Sequence, residues 1–475
     1  MNKKVFVSGN FNILHPGHLR LLRFAQEQGG ELIVGVYSDE IAGEGAHVPE
    51  KLRLEGVRAN NMVTDSFLIE EPITNVIKRI RPDIVVKGKE HEEENNPELE
   101  VLEGYGGKLL FSSGEVVFSS LDLIKKGLSP YKQKFSLPQN FAKRRGFKTS
   151  DMRKAVQKMS DLNVCVIGDL IVDEYVACDP LGMSQEDPTI VVTPVDTQMF
   201  IGGSGIVAAH ASSLGAQVSF FSISGNDHIR DFSITMLEEQ NVMTHLLVDE
   251  SRPTTLKQRF RSHGKSLLRV SNLHQSSIST KLQTQLLEAV KAEIEGYDLI
   301  VFSDFNYGCL PQPLVEKIIS IGEENNIMMV ADSQSSSQTG DISRFKGMHL
   351  LTPTEYEARM SLRNHEDGLV VIAENLREKS ACKNIILKLA EEGVLLHYRE
   401  DNSGESTTDR LPALNNNPAD VAGAGDSMLI VTSMACASGS SFWLASALGS
   451  FASALQISKL GNQPLSKEEL LKALE

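Results

Sequence analysis

The chain has 475 residues, of which 41% are hydrophobic and 23% are charged, and its formal net charge is −15. A chain of this length exceeds one ordinary hydrophobic core, so we expect two or three domains. The acidic balance argues against a general nucleic-acid-binding protein, which needs clustered Lys and Arg to displace counterions from phosphates.

Cysteine usage and hydropathy narrow the class of protein further. The five cysteines are scattered without CxxC spacing, which indicates neither a disulfide framework nor a zinc site. No apolar run approaches the roughly 18 residues of a membrane span. The apolar run near the start of the sequence is also too short for a signal peptide. We therefore expect a cytoplasmic protein without nucleic-acid or membrane partners.

Short apolar runs alternate with amphipathic stretches in the first part of the chain. The runs include KVFVSG, ELIVGVYSD, RPDIVVKG and GGKLLFSSG. Alternation of strands and helices predicts a parallel, doubly wound sheet whose ligand site lies at the carboxyl ends of the strands. We assign this first α/β domain to residues 1–127.

A second alternating series follows a segment of different composition. Residues 128–150 contain basic and aromatic residues and two prolines but no clear period, which is typical of a linker. The second series runs from NVCVIGDLIVDEY through YDLIVFSDF to GDSMLIVTSMACASG. These strands and helices predict a second α/β domain over residues 151–475.

Two histidines follow the first predicted strand and lie at the start of a predicted helix. His15 and His18 flank a Pro-Gly step, and Gly9 allows a ligand to approach the backbone closely. An open helix N-terminus attracts phosphate, and adjacent imidazoles can stabilise charge on an α-phosphate under attack. The alternative interpretation is a pair of histidines that only cap and pack the helix.

The stretch GNFNILHPGH resembles the GxFDxxHxGH signature of the cytidylyltransferase-like nucleotidyltransferases, and RPDIVVKGKEH and GEVVFSSLDLI resemble two further segments of that family. These enzymes join a nucleoside triphosphate to a phosphorylated alcohol and release pyrophosphate. The resemblance implies a Rossmann-like fold, catalytic His15 and His18, and nucleotide or phosphate contacts from Gly9, Asn10, Lys87, Ser119 and Ser120. The sequence departs from the pattern at Asn10 and Asn12, where the family has a hydroxyl and a carboxylate. After the second strand only Lys51 and Arg53 remain as basic candidates.

The stretch ADVAGAGDSML combines a glycine-rich turn with an aspartate at the start of an apolar helix. Gly423, Ala424 and Gly425 can present N–H groups to an anion, and Asp426 can take a proton from an attacking hydroxyl. Phosphoryl transfer needs mostly positioning and charge neutralisation, so these groups with Mg²⁺ suffice for a small-molecule kinase. The structural alternative is a glycine-rich turn with Asp426 as a partner of the helix dipole.

This stretch resembles the D-[TSV]-x-G-[AS]-G-D signature of the ribokinase (PfkB) family of sugar kinases. IGDLIVDEY, GGSGIVAAHASSLGA and LLTPTEYEAR resemble other segments of that family, with Ile206 and Thr354 where the family has asparagine. The resemblance implies a ribokinase-like α/β fold with a small β lid, the use of ATP and Mg²⁺, and a homodimer through this domain. It implies that Asp426 is the catalytic base and that the phosphate is bound by Gly423, Ala424 and Gly425. The implied sugar contacts are Asp169, Asp173, Gly202 and Gly203, and the implied Mg²⁺ ligand, direct or through water, is Glu357.

Basic residues largely alternate along LKQRFRSHGKSLLRV, which is predicted to form a pair of strands. Alternate positions share one face of a strand. Such a face can hold a substrate phosphate or close over a sugar, and we single out Lys257 and Arg269 as sugar-binding candidates. A solvated edge strand, whose charges block unwanted pairing, explains the same pattern.

The two domains together resemble the bifunctional ADP-heptose synthases, with the domain order reversed. This resemblance implies ATP-dependent phosphorylation of a sugar phosphate, such as heptose 7-phosphate, at its anomeric hydroxyl. It also implies nucleotidyl transfer from ATP or CTP to a sugar 1-phosphate, with release of pyrophosphate, as in lipopolysaccharide assembly. One alternative is a sugar kinase whose N-terminal domain is a nucleotide-binding regulatory or assembly module. A further alternative is a non-catalytic scaffold.

Overall fold

The computed structural model describes residues 3–12, 14, 16–88, 96–112, 135, 137, 139–262, 265–335, 340–399, 406–415 and 417–475. The chain divides into two compact units, Met1–Gln133 and Lys134–Glu475. Among the described residues, no helix has the length and apolar character that crossing a membrane requires.

The first unit contains a parallel sheet with helices on both faces. Its described strands are β1 (Lys4–Gly9), β2 (Glu31–Tyr37), β3 (Asp65–Ile69), β4 (Ile84–Gly88) and β5 (Lys108–Ser112). Its described helices are α1 (Pro16–Gln28), α2 (Asp39–Ala42), α3 (Glu50–Arg58), α4 (Ile73–Ile80) and α5 (Glu98–Glu103). The strand order is β3-β2-β1-β4-β5, and every pair is parallel. The chain reverses its direction of winding between β1 and β4, which is where such sheets bind ligands.

The second unit contains a larger, mostly parallel sheet. Its described strands are β6 (Asn163–Gly168), β9 (Gln217–Ser224), β10 (Val242–Val248), β13 (Leu299–Asp304), β14 (Met328–Ser333), β15 (Leu350–Leu351), β16 (Asn384–Lys388), β17 (Val394–Arg399) and β18 (Ser406–Leu411). The strand order is β10-β9-β6-β13-β14-β15-β16-β17-β18. All pairs are parallel as far as β16, and the last two pairs are antiparallel.

The helices of the second unit cover both faces of this sheet. They are α6 (Gln139–Arg144), α7 (Thr149–Lys158), α8 (Ser204–Ser213), α9 (His228–Glu239), α10 (Thr280–Glu293), α11 (Gln312–Glu324), α12 (Glu355–Leu362), α13 (Leu369–Ser380), α14 (Ala424–Ala437), α15 (Phe442–Gln456) and α16 (Lys467–Ala473). Side chains alternate along β6, so that Val164 and Val166 join one buried cluster and Cys165 and Ile167 join the other. This two-sided burial explains the nearly continuous apolar runs of the sequence.

A smaller sheet projects from the second unit. It has the order β12-β11-β7-β8, with β7 (Leu170–Met183), β8 (Ile190–Gly203), β11 (Leu256–Ser262) and β12 (Lys265–Asn272). The long β7–β8 hairpin is buried near the main sheet and exposed toward its tip. The predicted α/β class with a small β lid is therefore confirmed, and we call this smaller sheet the lid.

The segment that composition marks as a linker differs from an extended arm in its described part. Phe141 and Phe147 are buried and belong to the main core of the second unit. The guanidinium of Arg145 lies 3.6 Å from the ring centroid of Trp443 and 2.7 Å from a carboxylate oxygen of Asp409. A few anchoring side chains fix this segment without a regular period, so the hydrophobic pattern gives no sign of its packing.

Replacement of Arg145 by Ala should lower the free energy of unfolding of the second unit by about 1–2 kcal/mol, because the substitution removes a cation–π contact and an ion pair from a half-buried site. Trp443 is the only tryptophan of the chain, so its fluorescence during urea denaturation follows this unit. Arg410→Ala is the matched control. Its pair with Glu392 is more than half exposed, and its loss should cost less than about 0.5 kcal/mol. Equal effects of the two substitutions would show that Arg145 does not anchor the segment.

Candidate functional site

The glycine-rich stretch forms the start of helix α14. Gly423 precedes the helix at φ +74°, a left-handed conformation that glycine adopts without steric cost. The N–H groups in the first turn of an α-helix have no partner within the helix. Those of Ala424 and Gly425 therefore have no partner within the helix, which suits the predicted anion-binding role.

Asp426 lies in the first turn of this helix and is 6% exposed. Its Oδ1 accepts a hydrogen bond from Nε2 of Gln334 at 3.2 Å. Burial and the negative charge of Asp332 raise the pKa of Asp426 to about 7, whereas the ammonium of Lys388 lowers it. A carboxylate with a pKa near neutrality is well matched to proton transfer from a hydroxyl.

A buried ion pair lies beside this carboxylate, and neither of its members belongs to a motif described above. Nζ of Lys388 donates to Oδ2 of Asp332 at 2.8 Å. Burial raises the pKa of Asp332 to about 6, while Lys388 lowers it. Both residues lie at the carboxyl ends of buried strands, β14 and β16. A charged residue that ends an apolar run is the sequence signal that could have identified them.

Glu357, the predicted Mg²⁺ ligand, is buried in the first turn of helix α12. Its Oε2 accepts the N–H group of Thr354 at 2.7 Å, and its Oε1 accepts that of Ser335 at 3.0 Å. Each oxygen keeps a lone pair that a water or a cation can use. Glu357 therefore holds two loops together and still faces the site as an acceptor.

The donor set is compatible with a Mg²⁺ ion that is bound mainly by substrate phosphates. Within the described ranges, no group of three or more His, Cys, Asp or Glu side chains could hold a metal on its own. Oδ1 of Asp332 is buried and has no hydrogen-bond partner among the described residues. One or two carboxylates with phosphate oxygens and water satisfy Mg²⁺. Asp332 and Glu357 provide such carboxylates.

On the lid side, Asp173 is 5% exposed and its carboxylate faces two donors. Its Oδ1 accepts from Arg259 at 3.3 Å, and its Oδ2 accepts from Nδ2 of Asn462 at 3.0 Å. A Cβ at Gly202 would lie 2.5 Å from Oδ2 of Asp173, and a Cβ at Gly423 would lie 2.5 Å from Oδ1 of Asn462. Asn462, which sequence reasoning missed, thus brings the predicted sugar site and the start of helix α14 together.

The structure gives Asp169 a different environment. Its Oδ2 accepts the N–H groups of Phe305 and Tyr307, and its Oδ1 accepts that of Cys309. Gly203 is at φ +58°, and a Cβ there would lie 2.5 Å from the carbonyl oxygen of Asp169. Burial and nearby Asp304 raise the pKa of Asp169 to about 6. Asp169 therefore anchors the loop at 305–309, and a sugar hydroxyl would have to share these acceptor atoms.

The basic residues of strand β11 lie on the lid face that carries Asp173. The strand pairs in register with β7, so that Lys257 lies opposite Asp173 and Arg259 lies opposite Tyr175. The guanidinium groups of Arg259 and Arg261 lie over the ring of Tyr175, 5.3 and 5.2 Å from its centroid. These cations therefore form one row above the predicted sugar site.

Arg269 lies farther out, on the edge strand β12, where it pairs opposite Arg259 and is exposed. Asp420, the first residue of the glycine-rich signature, accepts the hydroxyl of Tyr175 at 2.7 Å and lies 3.8 Å from the guanidinium of Arg261. The structure thus brings Arg259 to Asp173 and leaves Arg269 at the rim of the lid.

In the first unit, Gly9, Asn10 and Lys87 lie at the carboxyl ends of the neighbouring strands β1 and β4. Nζ of Lys87 pairs with Oε1 of Glu98 at 3.0 Å, and Glu98 is 3% exposed. A phosphate that bound Lys87 would compete with this carboxylate. In the structure, the carboxylate of Glu98 therefore balances the charge of Lys87.

His18 lies in the first turn of helix α1, and its ring centroid is 5.0 Å from that of Phe11. Phe11 follows Gly9 and Asn10 closely, so His18 lies near the end of strand β1. The other predicted residues of this site, His15, Ser119 and Ser120, lie outside the described residues.

Asn12, where the family pattern has a carboxylate, binds the loop at 43–48. Its Nδ2 donates to the carbonyl oxygen of Gly45 at 2.8 Å. Its Oδ1 accepts the N–H groups of His47 at 2.9 Å and Val48 at 3.3 Å. Only an amide can make both kinds of bond at once, because an ionised carboxylate has no donor.

Arg53, one of the two basic candidates after the second strand, is 1% exposed. Its guanidinium donates to the carbonyl oxygens of Asn10, Tyr37 and Val48 at 2.7–2.8 Å. It therefore satisfies backbone acceptors where the first two strands end, whereas Lys51 is exposed. The two basic candidates therefore have different environments, since Arg53 is buried and bound to the backbone and Lys51 is exposed.

Comparison with known proteins bears on both units. Residues 161–469 match the pfkB family of carbohydrate kinases, and residues 6–103 match the cytidylyltransferase-like family. The predicted combination of a cytidylyltransferase-like domain with a PfkB-family domain is thereby confirmed. The chain is similar to a protein named Bifunctional protein HldE from Syntrophotalea carbinolica, with 28% identity over 68% of this chain and 65% of that protein. It is also 29% identical to one of the same name from Rhodopseudomonas palustris, over 67% of this chain and 65% of that protein.

These alignments span about 65% of the length of the curated relatives. Among solved structures, the ribokinase of Arabidopsis thaliana complexed with ribose and ATP matches with a TM-score of 0.52 and 16% identity. The match covers 66% of this chain and 99% of that protein. At this identity the likeness concerns the fold alone, which is ribokinase-like.

Replacement of Asn12 by Asp should loosen the loop at 43–48, because two acceptors would then face each other at Gly45. We expect the free energy of opening of this loop to fall by about 1–3 kcal/mol, seen as faster amide hydrogen exchange in peptides that cover 43–48. Asn60→Asp is the matched control. Oδ1 of Asn60 accepts the N–H group of Met62, and a carboxylate can accept the same bond. If Asn12→Asp exchanges no faster than Asn60→Asp, the amide is not what holds the loop.

Proposed function

Because the chain belongs to the pfkB family of carbohydrate kinases, we propose that its second unit transfers the terminal phosphoryl group of ATP to the anomeric hydroxyl of a sugar phosphate. The observation that carries this proposal is the position of Asp426 in the first turn of helix α14, directly after Gly423 and Gly425. A proton acceptor and a set of helix N–H groups lie side by side there. The carboxylate can accept the proton that an attacking hydroxyl loses, and the N–H groups can bind the oxygens of the phosphoryl group.

In this proposal the carboxylate of Asp426 accepts the proton of the sugar hydroxyl as the sugar oxygen attacks the γ-phosphorus and ADP leaves. The N–H groups of Ala424 and Gly425 stabilise negative charge on the phosphoryl oxygens during transfer. Mg²⁺, when bound with the ATP phosphates at Asp332 and Glu357, supplies charge neutralisation. Asp426 and these N–H groups share the first turn of one helix, which suits a reaction that depends mainly on positioning.

The charges of the lid favour a sugar that carries a phosphate. Lys257, Arg259 and Arg261 share a face with the carboxylate of Asp173, and the carboxylates of Asp420 and Asp426 also interact with these cations. A row of three cations on one face can bind a phosphate group. Asp173 lies among these cations and can accept hydrogen bonds from sugar hydroxyls. Heptose 7-phosphate is the substrate that the family resemblance favours.

For the first unit we propose nucleotidyl transfer from ATP or CTP to a sugar 1-phosphate, with release of pyrophosphate. His18 near the end of strand β1 and Lys87 at the end of β4 would stabilise the α-phosphate. Lys87 would exchange Glu98 for phosphate when the nucleotide binds. The similarity to relatives named as bifunctional proteins supports two activities in one chain. Since both reactions use nucleoside triphosphates, we propose that they take place in the cytoplasm. The five free, buried cysteines fit this location, because thiols stay reduced there.

We further propose that the lid pairs with the lid of a second copy of the chain. Large apolar side chains lie exposed along it, namely Leu181, Met183, Ile190, Val191, Val195, Leu267, Leu268 and Val270. Exposed apolar surface of this extent marks interaction sites. Sedimentation velocity should show a homodimer, and Leu268→Glu should shift it toward monomer. A wild-type monomer at all concentrations would refute the dimer.

Asp426→Asn should abolish the kinase reaction, lowering its rate about 100- to 10,000-fold, because the amide cannot accept the proton. Phosphorus NMR with Mg²⁺, ATP and heptose 7-phosphate measures the product directly. In the wild type the rate should rise with pH through about 7, as the carboxylate becomes ionised. Asp231→Asn, on the exposed face of helix α9, is the control that should leave the rate unchanged.

The same variant should not unfold more easily than the wild type at pH 8. The folded-state pKa of Asp426 lies above its ordinary value of 3.8. Any stability that the protonated group contributes is therefore lost as the pH rises through about 7. Asn is neutral at every pH and avoids that loss. Marked destabilisation of Asp426→Asn would indicate a structural rather than a catalytic carboxylate.

His18→Ala should affect the other activity. Release of pyrophosphate from heptose 1-phosphate with ATP or CTP should be lost, whereas the kinase activity, which Asp426→Asn removes, should be retained. Two independent sites predict that each substitution removes one activity only. Loss of both activities by either substitution would refute independent sites. Nucleotide binding to the wild type without any pyrophosphate release would assign the first unit a regulatory or assembly role.

A further inference from the structure

The buried ammonium of Lys388 has no part in the function described so far. Lys388 ends strand β16, and its side chain is 14% exposed, while that of its partner Asp332 is 2% exposed. Because taking both charges out of water costs nearly as much as their attraction returns, such a pair contributes little net stability. A buried pair that also lies beside the reacting groups is therefore more than a structural contact.

The ammonium lies against the first turn of helix α14. A Cβ at Gly425 would lie 3.1 Å from Nζ of Lys388, and 3.7 and 3.8 Å from its Cδ and Cε. The absence of a side chain at Gly425 thus lets the ammonium approach the helix start. A positive charge and helix N–H groups meet at one point, which is where an anion would be held most strongly.

The charges around this point require a cation. The negative charges of Asp332, Glu357 and Asp426 all act on Lys388. Asp332 and Glu357, together with Asp426, whose pKa of about 7 leaves it partly ionised, outweigh the charge of one ammonium before any phosphate arrives. A nucleoside triphosphate adds further negative charge, and the ammonium at the start of the helix is well placed to offset that charge.

We propose that Lys388 binds the transferring phosphoryl group of ATP together with the first N–H groups of helix α14. This inference rests on the proposed kinase function. An ammonium on a flexible stem can turn from a carboxylate to a phosphate oxygen. Asp332 holds it in place until ATP binds. During transfer the bond from the γ-phosphorus to the bridging oxygen of ADP breaks and the bond to the sugar oxygen forms. The proton passes to Asp426, and Lys388 keeps its own proton.

The test compares two nucleotides, because only one of them carries the transferring group. Lys388→Met keeps most of the length of the side chain and removes its charge. In titrations of the full chain with Mg²⁺, the variant should lose at least about tenfold in affinity for the β,γ-imido analogue of ATP. Its affinity for ADP should stay within about twofold of the wild type. Turnover with the sugar phosphate should fall about 100- to 1,000-fold.

A purely structural role predicts a different result. If Lys388 only balances Asp332, the substitution changes the affinities for both nucleotides equally or changes neither, and the proposal fails. Gly425→Ala is a second variant that does not remove the buried charge. Its Cβ would displace the ammonium, so it should show the same selective loss for the ATP analogue. Lys291→Met is the matched control, since Lys291 pairs with Glu288 on the surface of helix α10 and should change neither affinity.

The titrations need no sugar, so they separate this inference from the proposed function. A nucleotide site in the first unit contributes equally to variant and wild type, and the difference between them isolates the second unit. If no sugar phosphate is phosphorylated but the selective loss persists, the proposed function is wrong and the role of Lys388 stands. If phosphorylation occurs and both affinities change alike, Lys388 alone is refuted.

Discussion

The second unit depends on how it accommodates carboxylates that are buried at the carboxyl edge of its sheet. Desolvation of an ionised carboxylate is expensive unless donors or cations surround it. Asp169 is satisfied by backbone N–H groups, and Asp332 by Lys388, whereas Asp426 has a single amide donor and a pKa near 7. The least satisfied of the three is the one in the helix turn beside the glycines. Burial thus raises the pKa of all three carboxyl groups, and it does so most at Asp426, where proton transfer can use it.

Local patterns in the sequence predicted the parts of the site that lie close together along the chain. Glycine spacing and an adjacent aspartate indicated the start of helix α14, and an apolar run ending in His-Pro-Gly-His indicated a strand followed by a helix. The end of an apolar run marks Lys388 as a candidate, but local patterns could not predict its partner or that of Asn462, because only the sheet and the final loop bring them to Asp332 and Asp173. The residue types at Asp169 and Arg53 were recognised, but their partners are backbone atoms of distant loops.

The first unit shows how a change of one atom type can alter the use of a site. An amide at Asn12 binds a carbonyl and two N–H groups of the same loop. A carboxylate could accept the two N–H groups but would repel the carbonyl. The departure from the family pattern is therefore consistent with the neighbouring loop, which Arg53 also binds through the carbonyl oxygen of Val48. The amide at Asn12 lacks the charge of the family's carboxylate, but it holds the loop at 43–48 by hydrogen bonds of both kinds.

Two hydrogen bonds connect the lid directly to the loops around the start of helix α14, from Asn462 to Asp173 and from Tyr175 to Asp420. A lid that rotates as a rigid body must either break both bonds or carry these loops with it. Movement of the lid is thus coupled to movement of these loops. For the proposed kinase reaction, this coupling means that a sugar that moves the lid also moves the loops at the start of helix α14, whereas a water molecule, which is too small to contact the lid, does not.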